Sequence, residues 1–229
     1  MWKYNKLQKD QAGFTLVELA IVLVIVGLIL AAVLKGQEMI VSSRVKSVEN
    51  DFKGVTTAYY AYMDRYKALP GDDANAAAHA GTGAKNGDGD GFISGLFSTT
   101  GSTLASDANA ESEKFWQHAR MAGFLTGSAT ATLAPPPNNA VGGVLGVQSQ
   151  ITATGGSTFG MTGNVVCASN IPVKIAQAVD IQMDDGDSTT GTIRAGAAAT
   201  TATTAATSAA YTASTAPTAD TAHTLCMKI

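Results

Sequence analysis

The chain has 229 residues, with 15 Lys and Arg against 18 Asp and Glu, for a formal net charge of −3. Charged residues make up only 14%, below the ~25% of ordinary soluble domains. No basic run is long enough to follow a phosphate backbone, so nucleic acid is excluded as an expected partner.

Residues 1–13 are polar and set Lys3, Lys6 and Lys9 against a single Asp10. Residues 14–34 follow as an apolar stretch of 21 residues, closed by Lys35. That is about the ~20 residues a helix needs to cross a bilayer. Three lysines before the run and none within it favour a cytoplasmic N-terminus, with the remainder outside. A cleaved secretory signal predicts a shorter apolar core followed by a small-residue cleavage site, and "LAAVLKGQEM" is a poor one. A plain signal anchor fits the length but leaves Glu18 unexplained. A carboxylate at the centre of a membrane helix costs roughly 2.5–3.5 kcal/mol on insertion scales.

The stretch "GFTLVELAIVLVIVGLI" puts glycine, phenylalanine, Thr-Leu and the glutamate at a spacing that resembles the class III signal of type IV prepilins and type II secretion pseudopilins. The resemblance implies that a prepilin peptidase cuts after Gly13 and methylates Phe14, so that Glu18 becomes the fifth mature residue. It also implies an inner-membrane precursor with a periplasmic head, delivered by an assembly platform into a homo- or hetero-oligomeric filament. Cleavage exposes an α-amine at Phe14, with a reference pKa of about 8. In a packed bundle that amine on one subunit can meet Glu18 of a neighbour. Each charge buried alone is penalised, so the pair selects one axial register. The plainer reading of Glu18 is a carboxylate snorkelling to the membrane surface.

Helical spacing continues past Lys35. Val41, Val45, Val48, Phe52, Val55, Tyr59, Tyr62 and Tyr66 recur every three or four residues, and Pro70 and Gly71 stop the pattern. One long helix over 14–67 is predicted, apolar nearly all round in its first half and amphipathic in its second. The expected organisation is a leader over 1–13, that helix over 14–67, and a globular head over 68–229. The fold class expected is α+β, with the long helix packed on a small antiparallel β-sheet.

Within the head, "AESEKFWQHARMAGFLTG" reads as a further helix, with Phe115, Ala119, Ala122 and Leu125 on one face. Residues 141–147, "GNVVCAS", "IPVKIAQ" and "TGTIRAG" read as short strands between glycine-rich turns. The stretch "NGDGDGFISG" over 86–95 is the strongest candidate ligand site. Asn86, Asp88 and Asp90, with the Phe92 carbonyl, match the first half of a calcium-binding loop. Position twelve of that loop, which needs a bidentate glutamate, is Phe97. Asp72, Asp73, Glu111 or Glu113 can supply the missing oxygen, and the competing reading is a hydrated Gly/Asp turn. Asp180, Asp184, Asp185 and Asp187 form a second acidic stretch that fits a polar turn better than a cation site.

Cys167 and Cys226 belong to no CxxC pair. They fit one disulfide in an exported protein or two unrelated thiols in a cytosolic one, and the membrane-directed N-terminus favours export. The resemblance implies a terminal disulfide between them. Residues 195–222, nearly all Ala, Thr, Ser and Gly, read as an extended loop or edge hairpin and a candidate carrier of glycans. His79, His118 and His223 are scattered, and no HExxH, G-x-S-x-G or phosphate-binding loop is present. His118 reads as a surface or packed residue rather than a base. The sequence thus predicts a structural filament subunit, of a pilus or a secretion pseudopilus, rather than an enzyme. The alternative is a monomeric, membrane-anchored, calcium-dependent binding or hydrolytic domain.

Overall fold

The computed structural model describes residues 15–95, 111–130, 134–149, 159–197 and 222–229. Its elements run α1 (Leu16–Tyr66), α2 (Ala76–His79), α3 (Glu111–Met121), β1 (Leu145–Ser149), β2 (Asn164–Pro172), α4 (Val173–Met183), β3 (Ile193–Ala197) and β4 (Ala222–Lys228). The fold is α+β. Contacts divide the chain into two compact units, Met1–Ser42 and Ser43–Ile229.

The first unit carries the start of α1, a helix of 51 residues in all. Among the described residues α1 is long and apolar enough to cross a membrane. Its large apolar side chains, Leu16 and Leu23 among them, are exposed around the whole circumference. The predicted boundaries at 14 and 67 are met within a residue or two, apart from Phe14, which lies outside the described residues.

In the second unit the amphipathic stripe does what its spacing requires. Val45, Val48, Phe52, Val55 and Tyr59 enter the main core, where Ile93, Phe115, Trp116 and the inner faces of the strands meet them. Val41 falls in the first unit and is exposed. Tyr62 joins a second cluster with Ala76, Ala80 and Ala84, against which Tyr66 and Phe124 pack. Lys67 closes α1 in the left-handed region, at φ 55°, with its amide donating to the Met63 carbonyl.

The sheet has four antiparallel strands in the order β1-β2-β4-β3. Alternation along the strands divides its faces. Val166, Ala168, Ile193, Ala195 and Leu225 point into the main core, whereas Val165, Cys167 and Cys226 pack with Phe159 and Met161. Cys167 and Cys226 stand directly opposite in the β2–β4 register and are joined as a disulfide across 59 residues of chain. Closing a loop of that size stabilises by about 4 kcal/mol in the chain-entropy account.

Two strand expectations are corrected. "IPVKIAQ" is not a strand: Ile171 and Pro172 end β2, and Val173 opens α4. Pro172, at φ −56°, occupies the N-cap of that helix, where its missing N–H costs nothing. Val173, Ala176 and Val179 recur at helical spacing and are buried, a period hidden by the alternation of the shorter window. The first strand starts at Leu145 instead of 141. Before it the Asn139 side chain accepts from the Val141 and Gly143 amides and donates to the Ser169 carbonyl, which makes residues 139–143 a turn. The strand predicted in "TGTIRAG" is β3, and most of the Ala/Thr segment lies outside the described residues.

Candidate functional site

Two places concentrate charge where the sequence makes it costly. The first is the start of α1. Glu18 Oε2 accepts from both the backbone N–H and the hydroxyl of Thr15, each at 2.9 Å. The Glu18 amide donates to Thr15 Oγ1 at 3.3 Å. This is a reciprocal capping box in which two otherwise orphaned helix N–H groups are satisfied. A carboxylate in the first turn also suits the positive end of the helix dipole. Sequence reasoning overlooked Thr15, although the T-x-x-E spacing was its signal. Gly13 and Phe14 lie outside the described residues.

The second place is the turn after α1 and the glycine-rich loop over 83–94. Asp72, Asp88, Asp90 and Glu111 bring one oxygen each to within 4.8 Å of one another. Asp72 and Glu111 are buried; Asp88 and Asp90 are exposed. Asp72 is the hub of the loop. Its Oδ1 accepts from the amides of Gly89 (2.7 Å) and Asp90 (3.0 Å), and its Oδ2 from that of Gly91 (3.0 Å). A side chain at Gly87 would collide with the Asp72 backbone, and Gly91 turns at φ 90°. The glycines therefore allow the loop to wrap this close around one carboxylate. Asp88 and Asp90 each spend one oxygen on the amide two residues further on. Burial pushes the Asp72 carboxyl up to about 6, with the negative charge of Glu111 adding to the rise and the amides of Gly91 and Gly89 opposing it.

Of the predicted ligand set, Asp88 and Asp90 are in the cluster and Asn86 is engaged elsewhere. Its Oδ1 accepts from the Ala77 amide, and its carbonyl accepts from Lys114. Phe92 is exposed, and its amide donates to Asp90. Asp72 and Glu111, two of the four acids named as sources of a missing oxygen, are brought in. Asp73 turns away, accepting from Tyr62 Oη and pairing with His79 Nδ1, both at 2.7 Å. Burial alone would raise the Asp73 carboxyl; hydrogen bonds from Tyr62, His79 and the Asn75 amide outweigh it and hold the group below its ordinary value.

What fixes the loop is the polar face of α3. Glu111, Lys114, Gln117 and His118 are all almost completely buried. They recur at the three-to-four spacing of one helical face and clamp the loop backbone in order. Glu111 accepts from the Asp88 and Ser94 amides, both at 2.9 Å. Lys114 Nζ donates to the Asn86 carbonyl at 2.8 Å. Gln117 accepts from the Lys85 amide at 2.8 Å and donates to the Gly83 carbonyl at 3.3 Å. His118 Nδ1 accepts from the Gly71 amide at 2.8 Å, so its other nitrogen, 2.6 Å from the Lys85 carbonyl, carries the proton. Phe115, Trp116 and Ala119 fill the core on the other side of the helix. His118 is thus a packed residue.

The second acidic stretch is self-contained. Asp184 Oδ2 accepts from the Thr192 and Ile193 amides at 2.6 and 2.7 Å, which caps the outer edge of β3. Asp185 accepts from the Asp187 amide and the Thr190 hydroxyl. Asp180 accepts from the Gly186 amide. Asp180, Asp184 and Asp185 also bring one oxygen each to within 4.8 Å of one another, with only Asp180 buried.

Residues 8–34 match the family model of the prokaryotic N-terminal methylation motif. That motif is the prepilin signature of type IV pilins and pseudopilins, and over this stretch it supports processing by prepilin peptidase. It points to a structural subunit, and with the apolar α1 it fits a membrane-anchored precursor. No curated protein and no solved structure matches the chain.

Proposed function

We propose that the protein is a filament subunit of the type IV pilin or pseudopilin kind. It is cut after Gly13, methylated on Phe14, and drawn from the inner membrane into a fibre through α1. The observation that carries this reading is the methylation motif running directly into α1, whose large apolar side chains from Leu16 to Val41 are exposed. Apolar surface of that extent needs a cover, and lipid supplies it before assembly, neighbouring helices after. Glu18 then exchanges its own capping contacts for the terminal amine of an adjacent subunit, which sets the axial register. Mass spectrometry of the native protein tests the processing. A chain starting at methylated Phe14 is expected, and an intact Met1 would favour the membrane-anchored monomer instead.

The head carries calcium in this reading, held by Asp88 and Asp90 with oxygens from Asp72 and Glu111. An all-oxygen set suits a hard divalent ion, and four carboxylate oxygens within 4.8 Å of one another repel less with a cation among them. Adding millimolar calcium to the full chain in detergent is expected to raise its melting temperature. An unchanged melting temperature would end the calcium assignment and leave the filament reading intact.

A further inference from the structure

We propose that His118 is an acid-operated latch, whose second proton frees the turn at Gly71 from α3. The neutral ring joins two segments that also share two backbone bonds, from the Gly87 amide to the Asp73 carbonyl and from the Gly89 amide to the Asp72 carbonyl. It accepts from the Gly71 amide through Nδ1 and donates to the Lys85 carbonyl through the other nitrogen. These bonds flank the loop hub, since Gly71 precedes Asp72 and Lys85 precedes Asn86. A proton on Nδ1 turns the acceptor into a donor facing another donor, the Gly71 N–H. It also leaves a charge in a site with no exposure. The clash is relieved when the Gly71 turn moves away, while the bond to the Lys85 carbonyl, which favours the charged ring, is kept.

The surroundings set the pH at which this happens. From α1 the Tyr62 ring stacks on the imidazole at 6.0 Å and offers it no solvent. Lys114, on the same helix, repels a second positive charge, whereas Asp73 from the turn attracts one. Burial dominates and pulls the ring down to about 4, from an ordinary value of 6.5. The folded value lies below the unfolded one. The latch is therefore complete above about pH 6.5 and is lost as pH falls towards 4.

The test uses the full chain in detergent with a calcium chelator present, followed by NMR of the His118 ring and the Gly71 amide between pH 7 and pH 3.5, about half a unit past the ring's value. The ring is expected to take its second proton near pH 4, with the Gly71 amide losing its hydrogen-bonded shift over the same range. A Gly71 amide whose shift does not follow the ring's titration would overturn the proposal. The variant His118→Gln keeps one acceptor and one donor but cannot be protonated here. It is expected to keep the Gly71 amide bonded through the same acid range, and an unchanged acid transition of that amide would likewise overturn the latch. If that variant does not fold, the coincidence or separation of the two wild-type titrations decides alone.

Discussion

The start of α1 and the helix α3 invert the usual rule in opposite directions. Over the first unit, large apolar side chains such as Leu16, Leu23 and Leu34 stand outside. On α3, charged and polar side chains, Glu111, Lys114, Gln117 and His118, stand inside. Neither is an anomaly once the partner is named. Apolar surface in the first region has no cover from its own unit and needs an external one. Polar groups in the second region are satisfied by backbone, that of the 83–94 loop together with Gly71 and Thr130. A side chain's burial follows from what is available to cover or bond it, and polarity alone does not decide it.

The largest effect that would break this contrast lies in the first region. Glu18→Ala is expected to abolish fibres, whereas Thr15→Ala weakens the capped helix start by about 1 kcal/mol and still allows them. Fibre yield by electron microscopy reads both, and normal fibres from Glu18→Ala would leave the carboxylate with a capping role alone. Next in size is the sheet that backs the second region. Replacing Cys167 and Cys226 together by serine is expected to lower the stability of the head by about 4 kcal/mol, measured by denaturant unfolding. Glu111→Ala strands two loop amides and is expected to cost about 3 kcal/mol. A cost near zero would mean that the loop does not depend on α3. The smallest change is a gain: Lys67→Gly relieves a left-handed residue at the end of α1 and is expected to add about 1 kcal/mol.

How much of this could be read beforehand follows the same division. Eight apolar residues at alternating spacings of three and four made α1 legible, because a long amphipathic period has few competing explanations. The shorter α4 was hidden, since Ile171, Val173 and Ile175 alternate as a strand would, and Pro172 looked like a breaker when it is a helix start. In α3 the helix and its apolar face were legible, but the burial of its polar face was not. The segment that Glu111 grips lies 17 to 23 residues earlier in the chain, and no local pattern records that contact. Asp72 and Glu111 were recognisable as spare carboxylates, but only folding separates them from Asp73 and Glu113. Thr15 was visible at the right distance from Glu18 and went unused because attention fell on intermolecular partners.

The order of the sheet carries one more consequence. Ala222–Lys228 is made after every other strand and is inserted between two of them, so β2 and β3 share no ladder until it arrives. A ribosome-bound intermediate lacking those residues would hold one isolated hairpin and a stray edge, with a lone reactive thiol at Cys167. The central ladder is thereby completed only once Ala222–Lys228 has been made, and oxidation of the thiol pair records that this strand has docked.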